Sequence, residues 1–134
     1  MSATLSPRVT GIGGVFFKGR DPKALSAWYQ RHLGVPVSSW GGAAFRWQSP
    51  DNPTGVGTTA WNIFDADTDY FGAGPSPFMI NFRVNDLHGL LAALRADGCQ
   101  VEDKVTEDAD YGKFGWVTDP EGNRVELWQP PEGQ

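Results

Sequence analysis

Two stretches of this chain share one pattern. Lys18-Gly-Arg-Asp21-Pro-Lys-Ala-Leu25 parallels Arg83-Val-Asn-Asp86-Leu-His-Gly-Leu90, with Asp21 aligned on Asp86. Each stretch follows a run of β-formers and opens a helical pattern. An internal repeat of this kind restricts the chain to two copies of one supersecondary unit that bury a shared core.

The flanking segments keep the same order. In the first copy, Val9–Lys18 reads as a strand, with Gly11, Gly13 and Gly14 bringing its backbone close to a neighbour. Asp21 is an N-cap and Pro22 sits at the first helical position. The helix carries Ala24, Leu25, Trp28, Tyr29 and Leu33 near a 3.6-residue period, so Trp28 is expected in the core. Gly34 and Pro36 end it. Val35–Trp40 reads as a short strand, Gly41-Gly42 as a hairpin turn and Ala43–Gln48 as the returning strand. Ser49–Pro53 is a loop and Val56–Phe64 the last strand of the copy.

Asp65–Pro77 is polar and rich in Gly and Pro, a linker between the copies. Phe78–Val84 then reads as a strand, and Asp86 caps a helix built on Leu87, Leu90, Leu91 and Leu94 and stopped by Gly98. Gln100–Thr106, Tyr111–Thr118 and Arg124–Gln129 are strands, with Asp119–Asn123 as the tight turn before the last. The expected fold is α+β: one domain over 1–134, made of βαβββ modules at 8–66 and 77–131. A ferredoxin-like dimer shares the strand–helix alternation but lacks a fourth strand per half, and Arg124–Gln129 supplies one.

Composition narrows the function. A formal net charge of −5, with no lysine or arginine run, argues against nucleic acid as a partner. No apolar run is long enough to cross a bilayer, so no membrane partner is expected. The first residues lack a basic region followed by an apolar core, and Cys99 is the lone cysteine, so a reducing cytoplasm is the expected location. The thiol has no neighbouring histidine in sequence to activate it. Six tryptophans and eight phenylalanines suggest an aromatic-lined cavity or interface, while two histidines leave little for metal chemistry.

Three stretches resemble the vicinal oxygen chelate superfamily, which includes glyoxalase I, bleomycin-resistance proteins, methylmalonyl-CoA epimerase and extradiol dioxygenases. They are Ile12-Gly-Gly-Val-Phe-Phe-Lys18 through Trp28-Tyr29 to Leu33-Gly34; Phe82-Arg-Val-Asn-Asp86; and Tyr111-Gly-Lys-Phe-Gly-Trp116 through Asp119-Pro-Glu-Gly-Asn-Arg-Val-Glu126-Leu-Trp-Gln-Pro130. The resemblance implies a glyoxalase/bleomycin-resistance/dioxygenase fold, two modules curling one mixed sheet into a cup, and a homodimer. In metal-dependent members the cup holds one divalent ion on four ligand positions. Here those positions map onto Gly14, Trp61, Met79 and Glu126, of which only Glu126 is a metal-ligand type. No metal ligand set and no cofactor are therefore expected, and a divalent metal belongs to the alternative.

Strand alternation then assigns the cup. With Glu126 inward, Arg124 and Trp128 follow; with Met79, so do Asn81 and Arg83; with Gly14, so do Phe16 and Lys18. Trp61 joins them, and Trp47 and Trp116 are further candidates. Glu126 is the candidate catalytic or ligand-pairing acid, open to pairing with Arg83 or Arg124. Trp128 is divided between pocket and dimer interface, and Tyr111-Gly112-Lys113 between a lip over the cup and a strand start. The expected function is metal-independent binding of an aromatic or cationic small molecule. The alternative is a lyase, isomerase or dioxygenase using a metal or Glu126 as general base. A third possibility is a subunit or interaction module whose own tryptophans fill the cup.

Overall fold

A computed structural model describes residues 6–49 and 52–132. β1 (Val9–Gly19), α1 (Pro22–Leu33), β2 (Ala43–Ser49) and β3 (Asn52–Asp65) form the first half. β4 (Phe78–Val84), α2 (Leu87–Ala96), β5 (Gln100–Val101), β6 (Thr106–Asp108), β7 (Gly112–Thr118) and β8 (Arg124–Gln129) form the second. One mixed sheet runs β2-β3-β1-β4-β8-β7-β5, with β6 pairing to β7. The halves join edge to edge where β1 lies antiparallel to β4. The two helices cover one face, and the opposite face is the cup.

Both helix starts form as the repeat predicts. Asp21 accepts from the Ala24 N–H and Asp86 from the Gly89 N–H, each at 3.1 Å. Under α2 lies the tightest core: Val84, Leu87, Leu91 and Leu127, with Phe82, Leu94, Val117 and Val125 around them. Gly115 lets the helix approach, since a Cβ there would sit 3.0 Å from Leu91 Cδ1. Helix α1 is anchored more lightly. Leu25, Ser26 and Tyr29 turn toward the sheet, whereas Trp28 is 49% exposed and rests on Tyr29 and His32. Trp28 is therefore not core: the buried stripe runs through Ser26, one helical turn from Pro22, and Trp28 lies beside it.

Two expected strands differ. Val35–Trp40 forms no ladder, because its backbone bonds close locally: Val35 N–H to Tyr29 O, Val37 N–H to Val35 O and Ser38 N–H to Gly42 O. Pro36 also has no N–H to offer. Gln100–Thr106 divides into β5 and the start of β6. Val101 pairs with Val117 and Thr106 with Phe114, so the intervening stretch has two more residues than the strand opposite. That bulge is where Glu102 reaches the cup. Of the expected Ser49–Pro53 loop, Ser49 ends β2 and Asn52 opens β3, while residues 50–51 lie outside the described residues. Asp119 closes the last turn as expected, accepting from the Glu121 and Asn123 N–H groups.

Candidate functional site

The cup is built on cross-strand neighbours, which share a face. Glu126 on β8 stands opposite Asn81 on β4 and Trp116 on β7. Asn81 pairs with Gly14 and Met79 with Phe16 across β1 and β4. On the other side of β1, Gly14, Phe16 and Lys18 pair with Ala60, Asn62 and Phe64. Trp61 therefore points to the helix face. Its ring lies edge-on to Phe17 at 5.7 Å and to Tyr29 at 5.2 Å. Trp61 packs half-buried under α1 and is not a cup wall, because a one-residue slip in assigning a strand reverses every side chain.

Glu126 is 3% exposed, and its carboxylate is held by three neutral donors. Asn81 Nδ2 donates to Oε1 at 2.7 Å, Trp116 Nε1 donates to Oε2 at 3.0 Å, and the Tyr70 hydroxyl donates to Oε2. Neither expected arginine partner pairs with it. Arg124 instead grips Glu102 through Nε and Nη2, both at 2.7 Å, and donates from Nη1 to the Tyr70 carbonyl at 2.5 Å. The hydrogen bond from Arg124 holds the Glu102 carboxyl below the usual carboxylate range, and the same contact raises Arg124. Arg83 is buried between Trp47 and Trp128, its guanidinium carbon 5.0 and 5.3 Å from their ring centres. Burial lowers its pKa. Its Nη1 donates to Thr58 O at 3.3 Å.

Tyr70 and Phe71 come from the linker, which was expected only to connect the halves. Phe71 is 2% exposed, packed against Phe64, with the Lys18 ammonium 5.6 Å from its ring centre. Tyr70 stacks on Phe64 at 5.6 Å. Burial, then the Glu126 charge, pushes the Tyr70 hydroxyl well above the ordinary phenol range, so it stays protonated and donates. The linker thus folds into the cup. The sequence does carry a signal: Tyr70-Phe71 are adjacent aromatics in an otherwise polar, Gly/Pro-containing stretch.

Of the sequence-derived site residues, Phe16, Lys18, Asn81, Arg83, Trp116, Arg124, Glu126 and Trp128 lie around this cup. Met79 shares the Phe16 face and is fully buried, so it offers no open contact surface. Trp47 stands at the end of the cup near Arg83, its Nε1 donating to Thr59 Oγ1 at 2.7 Å. Trp128 stacks on Phe114 and donates to the Tyr111 carbonyl. Phe64, Tyr70, Phe71 and Glu102 are the residues that sequence reasoning missed. A cleft of about 680 Å³, lined in part by Tyr70, Glu102, Lys104, Trp116 and Arg124, opens beside the linker.

The backbone is shaped to admit these side chains. A β-bulge in β1 falls between Ile12 and Gly14. A Cβ on Gly13 would sit 2.1 Å from Asn81 Oδ1, and one on Gly11 would sit 2.8 Å from the Trp47 ring. The glycines of the first strand are therefore the space in which Asn81 and Trp47 lie.

The donor set does not fit a divalent metal. By register, the positions around Glu126 are Gly14, Ala60 or Asn62, and Asn81. Both Glu126 oxygens already accept from protein donors, one of them Asn81 itself. Among the described residues no three His, Cys, Asp or Glu side chains gather to hold an ion.

The glyoxalase-like domain family model matches residues 14–128, and the chain belongs to that family, within the vicinal oxygen chelate superfamily. Solved structures agree in fold. A methylmalonyl-CoA epimerase in complex with methylmalonyl-CoA and NH4+ is 16% identical with a TM-score of 0.68, over 95% of this chain and 99% of that one. The methylmalonyl-CoA epimerase of Mycobacterium tuberculosis is 18% identical with a TM-score of 0.62, over 97% and 93%. A glyoxalase/bleomycin resistance protein/dioxygenase superfamily member from Vibrio splendidus 12B01 is 15% identical with a TM-score of 0.54, over 88% and 97%. No curated protein matches the chain. No helix among the described residues is long and apolar enough to cross a membrane.

Proposed function

We propose that this protein binds an aromatic or cationic small molecule in the cup without a metal ion. The supporting observation is the state of Glu126: a buried carboxylate satisfied by Tyr70, Asn81 and Trp116 inside aromatic walls. Three donors on an acid with about four lone-pair positions leave little room to accept a substrate proton, which favours binding over general-base chemistry. Aromatic walls with a few fixed polar groups are the usual makeup of a small-molecule pocket. The epimerase structure with its CoA ester adds that the same fold accommodates a small-molecule ligand in a neighbour. The protein is further proposed to act as a cytoplasmic homodimer that contacts neither nucleic acid nor membrane, on the strength of its acidic charge, lone cysteine and family.

The experiment is a calorimetric titration of chelator-treated protein with Ni²⁺, Zn²⁺ and Mn²⁺, beside a tryptophan-fluorescence titration with 4-methylphenol and benzyltrimethylammonium. A saturable fluorescence change in metal-free protein, with no stoichiometric metal binding, is expected. Tight metal binding that disappears in Glu126→Ala would overturn the proposal.

A further inference from the structure

Given the ligand-binding function proposed above, we infer that the ligand is a planar aromatic molecule with a hydroxyl donor, and that it takes the place of Tyr70 against Glu126. The chain already presents such a group to the site. The Tyr70 hydroxyl donates to Glu126 Oε2. Its ring lies parallel to Phe64, with 9° between the planes, and edge-on to Trp116 at 6.4 Å. The Arg124 guanidinium carbon lies 5.5 Å from the ring centre. The site therefore recognises each feature of a phenol: a face by stacking, an edge by a T-shaped contact, and the donor by a carboxylate.

Tyr70 occupies this position without belonging to the sheet. It is 36% exposed, unlike the buried Glu126, Asn81 and Trp116 around it. Its linker makes local bonds, Tyr70 N–H to Thr68 Oγ1 and Gly72 N–H to Asp69 O, and is anchored on the sheet by the buried Phe71 and by the Lys18 N–H to Pro77 O bond, so it is the Tyr70 side chain that has to move. Among the described residues the polar ties of Tyr70 to the sheet are the hydroxyl bond to Glu126 and the bond from Arg124 Nη1 to its carbonyl. Gly72, at φ +97°, allows the sharp turn after Phe71. Tyr70 also forms part of the wall of the 680 Å³ cleft, so its departure extends that cleft to Glu126.

The electrostatics favour a neutral donor over a cation. Arg124 lies 4.8 Å from the Trp116 ring centre and the Lys104 ammonium lies 5.6 Å from it. Glu102 pairs with Arg124, so with Glu126 two acids face two cations; a neutral donor keeps that balance, whereas an incoming ammonium adds a further positive charge beside Arg124 and Lys104. An aromatic hydrocarbon would leave Oε2 short of the donor that Tyr70 supplies.

The test uses 4-methylphenol, toluene and benzylamine, titrated by calorimetry into wild type, Tyr70→Ala and Tyr70→Phe. In Tyr70→Ala, 4-methylphenol should bind at least about 10-fold tighter than either toluene or benzylamine. It should bind wild type at least about 10-fold more weakly than Tyr70→Ala, because the tethered tyrosine competes at high effective concentration. Tyr70→Phe, which keeps the ring and loses the donor, should fall between the two and serves if Tyr70→Ala does not fold. Equal affinity for toluene and 4-methylphenol, or preference for benzylamine, would overturn the hydroxyl requirement and leave the binding function standing. Failure of all three probes with folded variants would overturn both.

Discussion

Replacing Glu126 separates a carboxylate that organises the cup from one that merely lies in it. In Glu126→Gln the new amide oxygen can take the Oε2 position and accept from both Tyr70 and Trp116. Its NH₂ then faces Asn81, whose Nδ2 now donates to Oε1. Asn81 can resolve that conflict by reversing its amide, because its Oδ1 is buried with no hydrogen-bond partner among the described residues. The cost is the charge assistance on the retained bonds, about 1–2 kcal/mol in all. Glu126→Leu offers no such exit. It strands the buried donors Asn81 Nδ2 and Trp116 Nε1, at about 1–3 kcal/mol each, or about 2–6 kcal/mol, while the partly exposed Tyr70 hydroxyl turns to water. Urea unfolding at neutral pH measures both variants, with equal m-values required for the comparison. Leu as stable as Gln would refute the assignment of Glu126 as the acceptor that holds the three donors together.

Other perturbations address the surroundings. Glu102 has its folded pKa lowered by Arg124, so its stabilisation is complete above the unfolded value of 4.5 and is lost as pH falls through the lower folded value. Thermal melts from about pH 6 to pH 3 should show an acid limb that flattens in Glu102→Gln. Gly13→Ala places a Cβ 2.1 Å from Asn81 Oδ1, so it should shift Asn81 off Glu126. The expected cost is about 1–3 kcal/mol, with cup affinity down at least about 10-fold by calorimetry; unchanged affinity would contradict the close packing seen there. Trp61→Ala should lower stability by about 2–4 kcal/mol while leaving the affinity of the cup for 4-methylphenol unchanged, as measured by paired melts and titrations.

What was legible in the sequence was what local chemistry decides. Asp21 and Asp86 cap their helices from three residues away, and Phe78–Val84 and Arg124–Gln129 are bounded as their composition requires. Glu126, Asn81 and Trp116 fall on one face because alternation along each strand has a fixed period. The failures came where the outcome depends on partners distant in the chain. The face shown by Trp61 depends on which residue of β1 lies beside it, and the pairing with Val15 turns it under α1. Tyr70 enters the cup because Glu126, far along the chain, supplies an acceptor and Phe64 a ring to stack on. The adjacent Tyr70-Phe71 pair signals burial, but the partners that receive it lie outside the linker. The exposure of Trp28 follows from the narrow buried stripe of α1, in which Ser26 takes the place that periodicity gave to the tryptophan.

The most direct measurement follows the indole N–H signals by ¹⁵N–¹H NMR in chelator-treated protein. The chain has six tryptophans, and Trp116→Phe identifies the signal that reports on Glu126. Saturating 4-methylphenol should move the Trp116 signal, while stoichiometric Zn²⁺ should leave it in place. A Trp116 signal that responds to Zn²⁺ and disregards the phenol would contradict a metal-free binding cup centred on Glu126.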